Sequence, residues 1–187
     1  VPLLHPPDVF RCVRRRGGCT AELDDILDLD DGRLYAGGMC VVLYIASDVP
    51  LPLIPFDESA PAFNVSELRK QSGPVRKHFT KQYVYEAGSH TQCGCGFEVV
   101  AERYGVKFDT DPAEVNAGCE SRRRLAAYLR QALSAQESVE LFVCWDGEEE
   151  RETTRRVTLV PEDLIDKHPC FLDWQDFAPE FLTVVRR

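Results

Sequence analysis

Cys40-Val41-Val42-Leu43-Tyr44-Ile45-Ala46 is an uncharged run rich in β-branched and aromatic side chains. It does not alternate between apolar and polar, so it reads as a strand apolar on both sides, lying inside a sheet covered on both faces. Residues 139–145 repeat the pattern apart from Glu140, with Leu141, Val143 and Trp145 opposite Phe142 and Cys144. Two interior strands require neighbours to take the sheet's edges. The candidates are residues 63–68, 81–87, where Tyr83 and Tyr85 oppose Val84, 153–160 and 181–185.

Helix signals are fewer. Asp111-Pro112-Ala113-Glu114 combines a capping carboxylate, proline at the first helical position and glutamate three residues after the cap, so a helix starts there. Gly118 is a candidate break, but Leu125, Leu129, Ala132 and Leu133 then form one stripe, with Arg122, Arg123 and Arg124 assigned to the solvated side. Residues 74–79 and 161–163 read as short proline-opened turns, with His78 on the surface. Phe171, Trp174 and Phe177, at spacing three, suit another helical turn. With one long helix among many strands, the predicted class is α+β: a single domain with a mixed, largely antiparallel sheet packed by one long helix and short helical turns. Two hairpins are predicted within it. One joins residues 139–145 to 153–160 through Asp146-Gly147, and the other joins 81–87 to 95–101.

The segment between that second pair is the chemical centre of the chain: Gly88-Ser89-His90-Thr91-Gln92-Cys93-Gly94-Cys95-Gly96-Phe97. Glycines let the backbone turn tightly and approach a bound atom closely. One reading of this stretch is a tight turn beside two structural cysteines. Another is a soft-metal site formed by His90, Cys93 and Cys95, with Cys40 as fourth ligand or, failing that, the His168-Pro169-Cys170 segment. Thiolates and imidazole suit zinc, with Cu(I) as the alternative. A third reading is a redox or nucleophilic thiol at Cys93 or Cys95, activated by His90 and converging N–H groups. The one-residue gap between Cys93 and Cys95 matches neither a zinc knuckle nor a thioredoxin-like pair, and Ser89 lacks the flanking pattern of a nucleophile elbow. Cys119 and Cys144 fall at apolar positions and read as core.

Composition narrows the function classes. The chain has 187 residues, with 22 basic and 31 acidic side chains for a net charge of −9. That balance argues against broad attraction to nucleic-acid phosphates or anionic membranes. No apolar run is long enough to span a bilayer, and the first residues lack the ordered regions of a signal peptide, which makes a cytoplasmic location the expectation. In a reducing compartment the eight cysteines are expected as thiols, ligands or core residues rather than disulfides. There is no phosphate loop or dinucleotide fingerprint, so no nucleotide cofactor is expected. Asp28, Asp30, Asp31 and Gly32 fail the calcium-loop spacing.

Residues 1–38, with prolines, Arg14-Arg15-Arg16 and an acidic run, differ in kind from the rest, and the sole methionine is Met39. They are expected to be an N-terminal extension, either disordered with at most one short helix over 21–29 or not part of the native translated protein, ahead of a globular domain over 39–187. The functional expectation is a small metal-binding or structural accessory protein whose partner is a protein or small molecule. The alternatives are a thiol-dependent enzyme acting through Cys93 or Cys95, and a non-catalytic interaction module presenting the proline-rich loop 50–56.

Overall fold

The computed structural model describes residues 12–15, 18–21, 40–97, 102–103, 106–107, 110–153, 155–166 and 179–187. The chain divides into two units, Val1–Cys40 and Val41–Arg187. In the first, strands β1 (Cys12–Arg15) and β2 (Gly18–Ala21) pair antiparallel, Cys12 opposite Ala21 and Arg15 opposite Gly18. Ala21, the first residue of the helix expected over 21–29, ends β2; residues 22–29 and the aromatic turn around Phe171, Trp174 and Phe177 lie outside the described residues.

The second unit is built on β3 (Val41–Ser47), whose residues are all buried, as an uninterrupted apolar run requires. Next come β4 (Asn64–Glu67), β5 (Tyr83–Gly88), the short antiparallel pair β6 (Glu102–Arg103) and β7 (Val106–Lys107), helix α1 (Pro112–Ala132), β8 (Ser138–Trp145), β9 (Arg155–Leu159), helix α2 (Asp163–Asp166) and β10 (Glu180–Val185). Six of these strands form one sheet in the order β4-β5-β3-β8-β10-β9. Every pairing in it is antiparallel except β10 with β9, so the sheet is mixed and largely antiparallel, the α+β arrangement expected.

Both predicted hairpins are replaced. β9 does not lie beside β8, because β10 inserts between them. The side chains explain the exchange. β10 carries Phe181, Leu182 and Val184, all buried, and takes the interior place, whereas β9, with Arg155, Arg156 and Thr158 exposed, takes the edge. Likewise β5 is flanked by β4 and β3, not by residues 95–97. Cys95 instead lies in a 3-10 helix, Gly94–Phe97, and residues 98–101 lie outside the described residues.

Alternation along the strands separates two apolar layers. Val41, Leu43, Ile45, Leu141, Val143 and Leu182 face α1, which is capped by Asp111 Oδ1 accepting from Ala113 N–H at 2.8 Å and is unbroken at Gly118. Tyr44, Phe142 and Phe181 face the other way, covered by Val75 of the 3-10 helix Gly73–His78 and by Phe79. His78, expected at the surface, is buried here. Its ring stacks on Phe142 at 4.1 Å, and its Nε2 lies 2.8 Å from the Glu149 carbonyl oxygen. Glu149 is buried too: its Oε1 accepts from Tyr44 Oη at 2.9 Å and from Gly147 N–H at 3.3 Å. Burial raises the Tyr44 phenol, so it stays protonated and donates. Among the described residues no helix is long and apolar enough to cross a membrane.

Removing the Tyr44 hydroxyl leaves the buried Glu149 carboxylate short of its side-chain donor. Tyr44→Phe is therefore expected to cost about 1–3 kcal/mol, read as a lower urea midpoint at unchanged slope; an unaltered midpoint would show that the pair contributes nothing.

Candidate metal centre

The cluster is assembled by β3, β5 and the loop that leaves β5. Cys40 is bonded to Val41, the first residue of β3, and Gly88 ends β5 next to that strand. The loop then turns back sharply. Ser89 N–H donates to the Cys93 carbonyl at 2.9 Å, Gln92 N–H donates to the Ser89 carbonyl at 3.0 Å, and Gln92 adopts a left-handed φ of 68°. Ser89 Oγ also donates to the Cys93 carbonyl at 2.7 Å, a local side-chain bond that favours this turn over continued strand. The 3-10 helix follows, and its last residue, Phe97, is fully buried beneath α1, packed against Phe63.

Two glycines set how close the loop comes. A Cβ at Gly94 would lie 2.7 Å from the Val41 carbonyl oxygen, and one at Gly96 would lie 2.7 Å from His90 Cε1 and collide with Ser89 Oγ. The bare backbone of Gly94 lets the loop lie directly on the start of β3, and that of Gly96 lets the loop close on its own Ser89 and His90. The sulfurs of Cys40, Cys93 and Cys95 consequently lie within 4.8 Å of one another, each half-buried. This is a set of three cysteines able to coordinate a metal ion. Val41 N–H donates to Cys95 Sγ at 3.2 Å, and Thr91 Oγ1 lies 3.3 Å from Cys93 Sγ.

His90, expected beside the sulfurs, engages α1. Its backbone N–H donates to Ser121 Oγ at 3.1 Å, its Nδ1 lies 3.2 Å from the same oxygen, and its Nε2 lies 3.2 Å from Glu114 Oε2. Which ring nitrogen carries the hydrogen sets the donor at each contact, and the single Ser121 hydroxyl hydrogen is directed at backbone carbonyls. The Ser-His-Glu sequence of contacts is not a nucleophile arrangement, because Ser121 is fully buried with its hydroxyl against the carbonyls of Ala62 at 2.7 Å and Ala117 at 2.9 Å. His168 and Cys170 lie outside the described residues.

Sequence reasoning missed Arg122. Expected on the solvated face with Arg123 and Arg124, it is buried, and its Nη1 donates to the Phe97 carbonyl at 2.6 Å while Nη2 lies 3.1 Å from Cys119 Sγ. The signal was its spacing: Arg122 stands three residues before Leu125 and so at the margin of the apolar stripe. It holds the end of the loop that carries Cys93 and Cys95. Cys144 is fully buried, and burial, with nearby acidic groups, pushes its thiol up, so it stays protonated as core. The proline-rich residues 49–52 are held by Leu51 N–H donating to Tyr85 Oη and Tyr128 Oη donating to the Pro52 carbonyl, both at 2.9 Å. With the end of α1 they border a hollow of about 180 Å³ that none of the three cysteines lines.

Gly96→Ala forces a methyl group onto the His90 ring, and overpacking of this kind costs about 1–3 kcal/mol. The expected result is a lower melting temperature with faster labelling of Cys95, whereas Gly73→Ala, where an added Cβ meets nothing within 4 Å, stays close to the parent in both. Equal behaviour of the two variants would contradict the close approach. Compared with known proteins, the chain matches no family model, no curated protein and no solved structure.

Proposed function

We infer that the protein binds one soft metal ion through Cys40, Cys93 and Cys95, and that the ion pins the loop after β5 to the entry of β3. The observation that carries this reading is the convergence of three sulfurs within 4.8 Å. A nucleophilic thiol needs one sulfur and an activating neighbour, whereas a metal needs several ligands drawn from separate parts of the chain. These three come from two places far apart in sequence, held by a main-chain donor and by Gly94, whose absent side chain admits the contact.

Zinc is the proposed ion. Three thiolates leave one place of a tetrahedral shell, to be filled by water or by His90, whose ring would exchange its contact with Ser121 or Glu114 for the metal. Cu(I), which three thiolates satisfy without a fourth ligand, is the competing occupant. The role is structural: ligand binding is coupled to folding, so the ion adds stability to the loop and to the first residues of the sheet. A metal-binding accessory protein fits this arrangement, and the acidic surface directs it away from nucleic acid.

The test is elemental analysis of the full chain purified without chelator or affinity nickel, followed by anaerobic titration of the chelated protein with Zn²⁺, Co²⁺ and Cu(I). About one zinc per chain is expected, with a thiolate-to-cobalt charge-transfer band on Co²⁺ substitution and a melting temperature that falls on chelation. Cys93→Ser and Cys95→Ser lose the ion and part of the stability, and Cys119→Ser keeps both. Preferential, stoichiometric uptake of Cu(I) would replace zinc as the occupant. Failure of every ion to bind, with all thiols reacting alike, would overturn the metal reading.

A further inference from the structure

We propose that the same three cysteines form a peroxide-responsive site, in which Cys40 and Cys95 are oxidised to a disulfide and the bound ion is released. Cys95 Sγ accepts from Val41 N–H at 3.2 Å, so it stands over the peptide that joins Cys40 to Val41, and the Cys40 sulfur lies within 4.8 Å of it. Forming the bond requires the two sulfurs to close from within 4.8 Å to about 2 Å. Cys93 is the poorer partner for either role. Only Gly94 separates it from Cys95, a spacing that strains a disulfide, and its sulfur faces Thr91 Oγ1 at 3.3 Å. All three side chains are half-buried, which leaves a small oxidant access, in contrast to Cys144, which is fully enclosed.

The step balances with hydrogen peroxide as the two-electron oxidant. One thiolate of the pair attacks a peroxide oxygen, the O–O bond breaks and hydroxide leaves, giving a sulfenic acid. The second thiolate attacks that sulfur, the S–O bond breaks, and a second hydroxide leaves as the S–S bond forms. Two thiols and one peroxide become one disulfide and two waters. Loss of two of its three thiolate ligands leaves the ion with Cys93 alone, so it dissociates. The cross-link between residue 40 and the loop persists, changed from metal to disulfide. A dithiol reductant restores the starting state.

The release half of this proposal rests on the metal-site reading, and the experiment separates the two. The full chain, once loaded with zinc and once stripped by chelator, is treated with about one equivalent of hydrogen peroxide. Zinc is followed with a chromogenic indicator, remaining thiols are counted, and non-reduced peptides are mapped by mass spectrometry. The expected result is loss of about two thiols per chain, one Cys40–Cys95 cross-linked peptide in both samples, release of about one zinc from the loaded sample, and full reversal by dithiothreitol. Cys93→Ser retains the cross-linked peptide and Cys40→Ser loses it; mapping of the parent protein stands independently of how either variant folds. A Cys40–Cys95 disulfide in a chain that never takes up zinc supports the thiol pair and sinks the metal reading. Zinc bound at one per chain without this disulfide after the peroxide is consumed overturns the present proposal and leaves the metal reading intact. Cross-links through Cys93, or irreversible sulfinic acid in place of a disulfide, overturn it as well.

Discussion

Strand β3 is enclosed in every direction, with β5 and β8 hydrogen-bonded along its edges, α1 over one face and the 3-10 helix Gly73–His78 with Phe79 over the other. A strand with no charged side chain, and with only the Tyr44 hydroxyl as a polar side-chain group before Ser47, is stable only in such surroundings, because every backbone group it removes from water must find a partner and every apolar side chain a neighbour. The rest of the unit follows from that demand. Polar strands β4 and β9 go to the edges, and α1 lies over the inner layer with Leu125 and Leu129 fully buried. The beginning of β3 becomes a fixed point at which other segments can be registered.

The candidate site uses that fixed point. Cys40 leads into β3, and the loop after β5 is delivered beside it because β5 is β3's neighbour in the sheet. The loop is fastened at both ends, by the Ser89–Cys93 turn on one side and by Phe97 and Arg122 on the other. Arg122 makes this fastening unusual. A guanidinium is costly to bury, and here it is directed at a backbone carbonyl at the end of a 3-10 helix, where oxygens lack intrahelical donors. His90 performs a parallel task at the start of the loop, tying it to Ser121 one residue earlier on α1. Consecutive residues of one helix thus hold both ends of the segment that carries Cys93 and Cys95.

The second layer shows a different economy of polar groups. His78, Tyr44 and Glu149 are all buried, and each satisfies another: phenol to carboxylate, imidazole to carbonyl. The acidic turn 147–152 is thereby drawn onto the sheet, with Gly147 at a φ of 91° providing the reversal and Lys77 meeting Glu152 at 3.0 Å on the outside. Exposed ion pairs of that kind add little; the buried hydroxyl–carboxylate contact is the stronger constraint.

Much of this was legible in the sequence. The two-faced apolar runs of β3 and β8, the Asp111-Pro112 cap of α1, the proline-opened turn before His78 and the α+β class all follow from local patterns, because side-chain periodicity and capping chemistry act over a few residues. That Cys40 is a sulfur able to join Cys93 and Cys95 was also legible, from residue type alone. Which strand lies beside which was not: the insertion of β10 between β8 and β9 and the flanking of β5 by β3 and β4 depend on comparing the burial demands of strands far apart in the chain. Nor could local pattern send His90 to Glu114 and Ser121, bury Arg122 against the Phe97 carbonyl, or place Cys95, Gly96 and Phe97 in a 3-10 helix. Sequence alone determined the elements and the chemistry available to them, through interactions between near neighbours. Only the tertiary structure decided which side chains meet, since three sulfurs within 4.8 Å and a histidine turned toward a helix are outcomes of how distant segments pack.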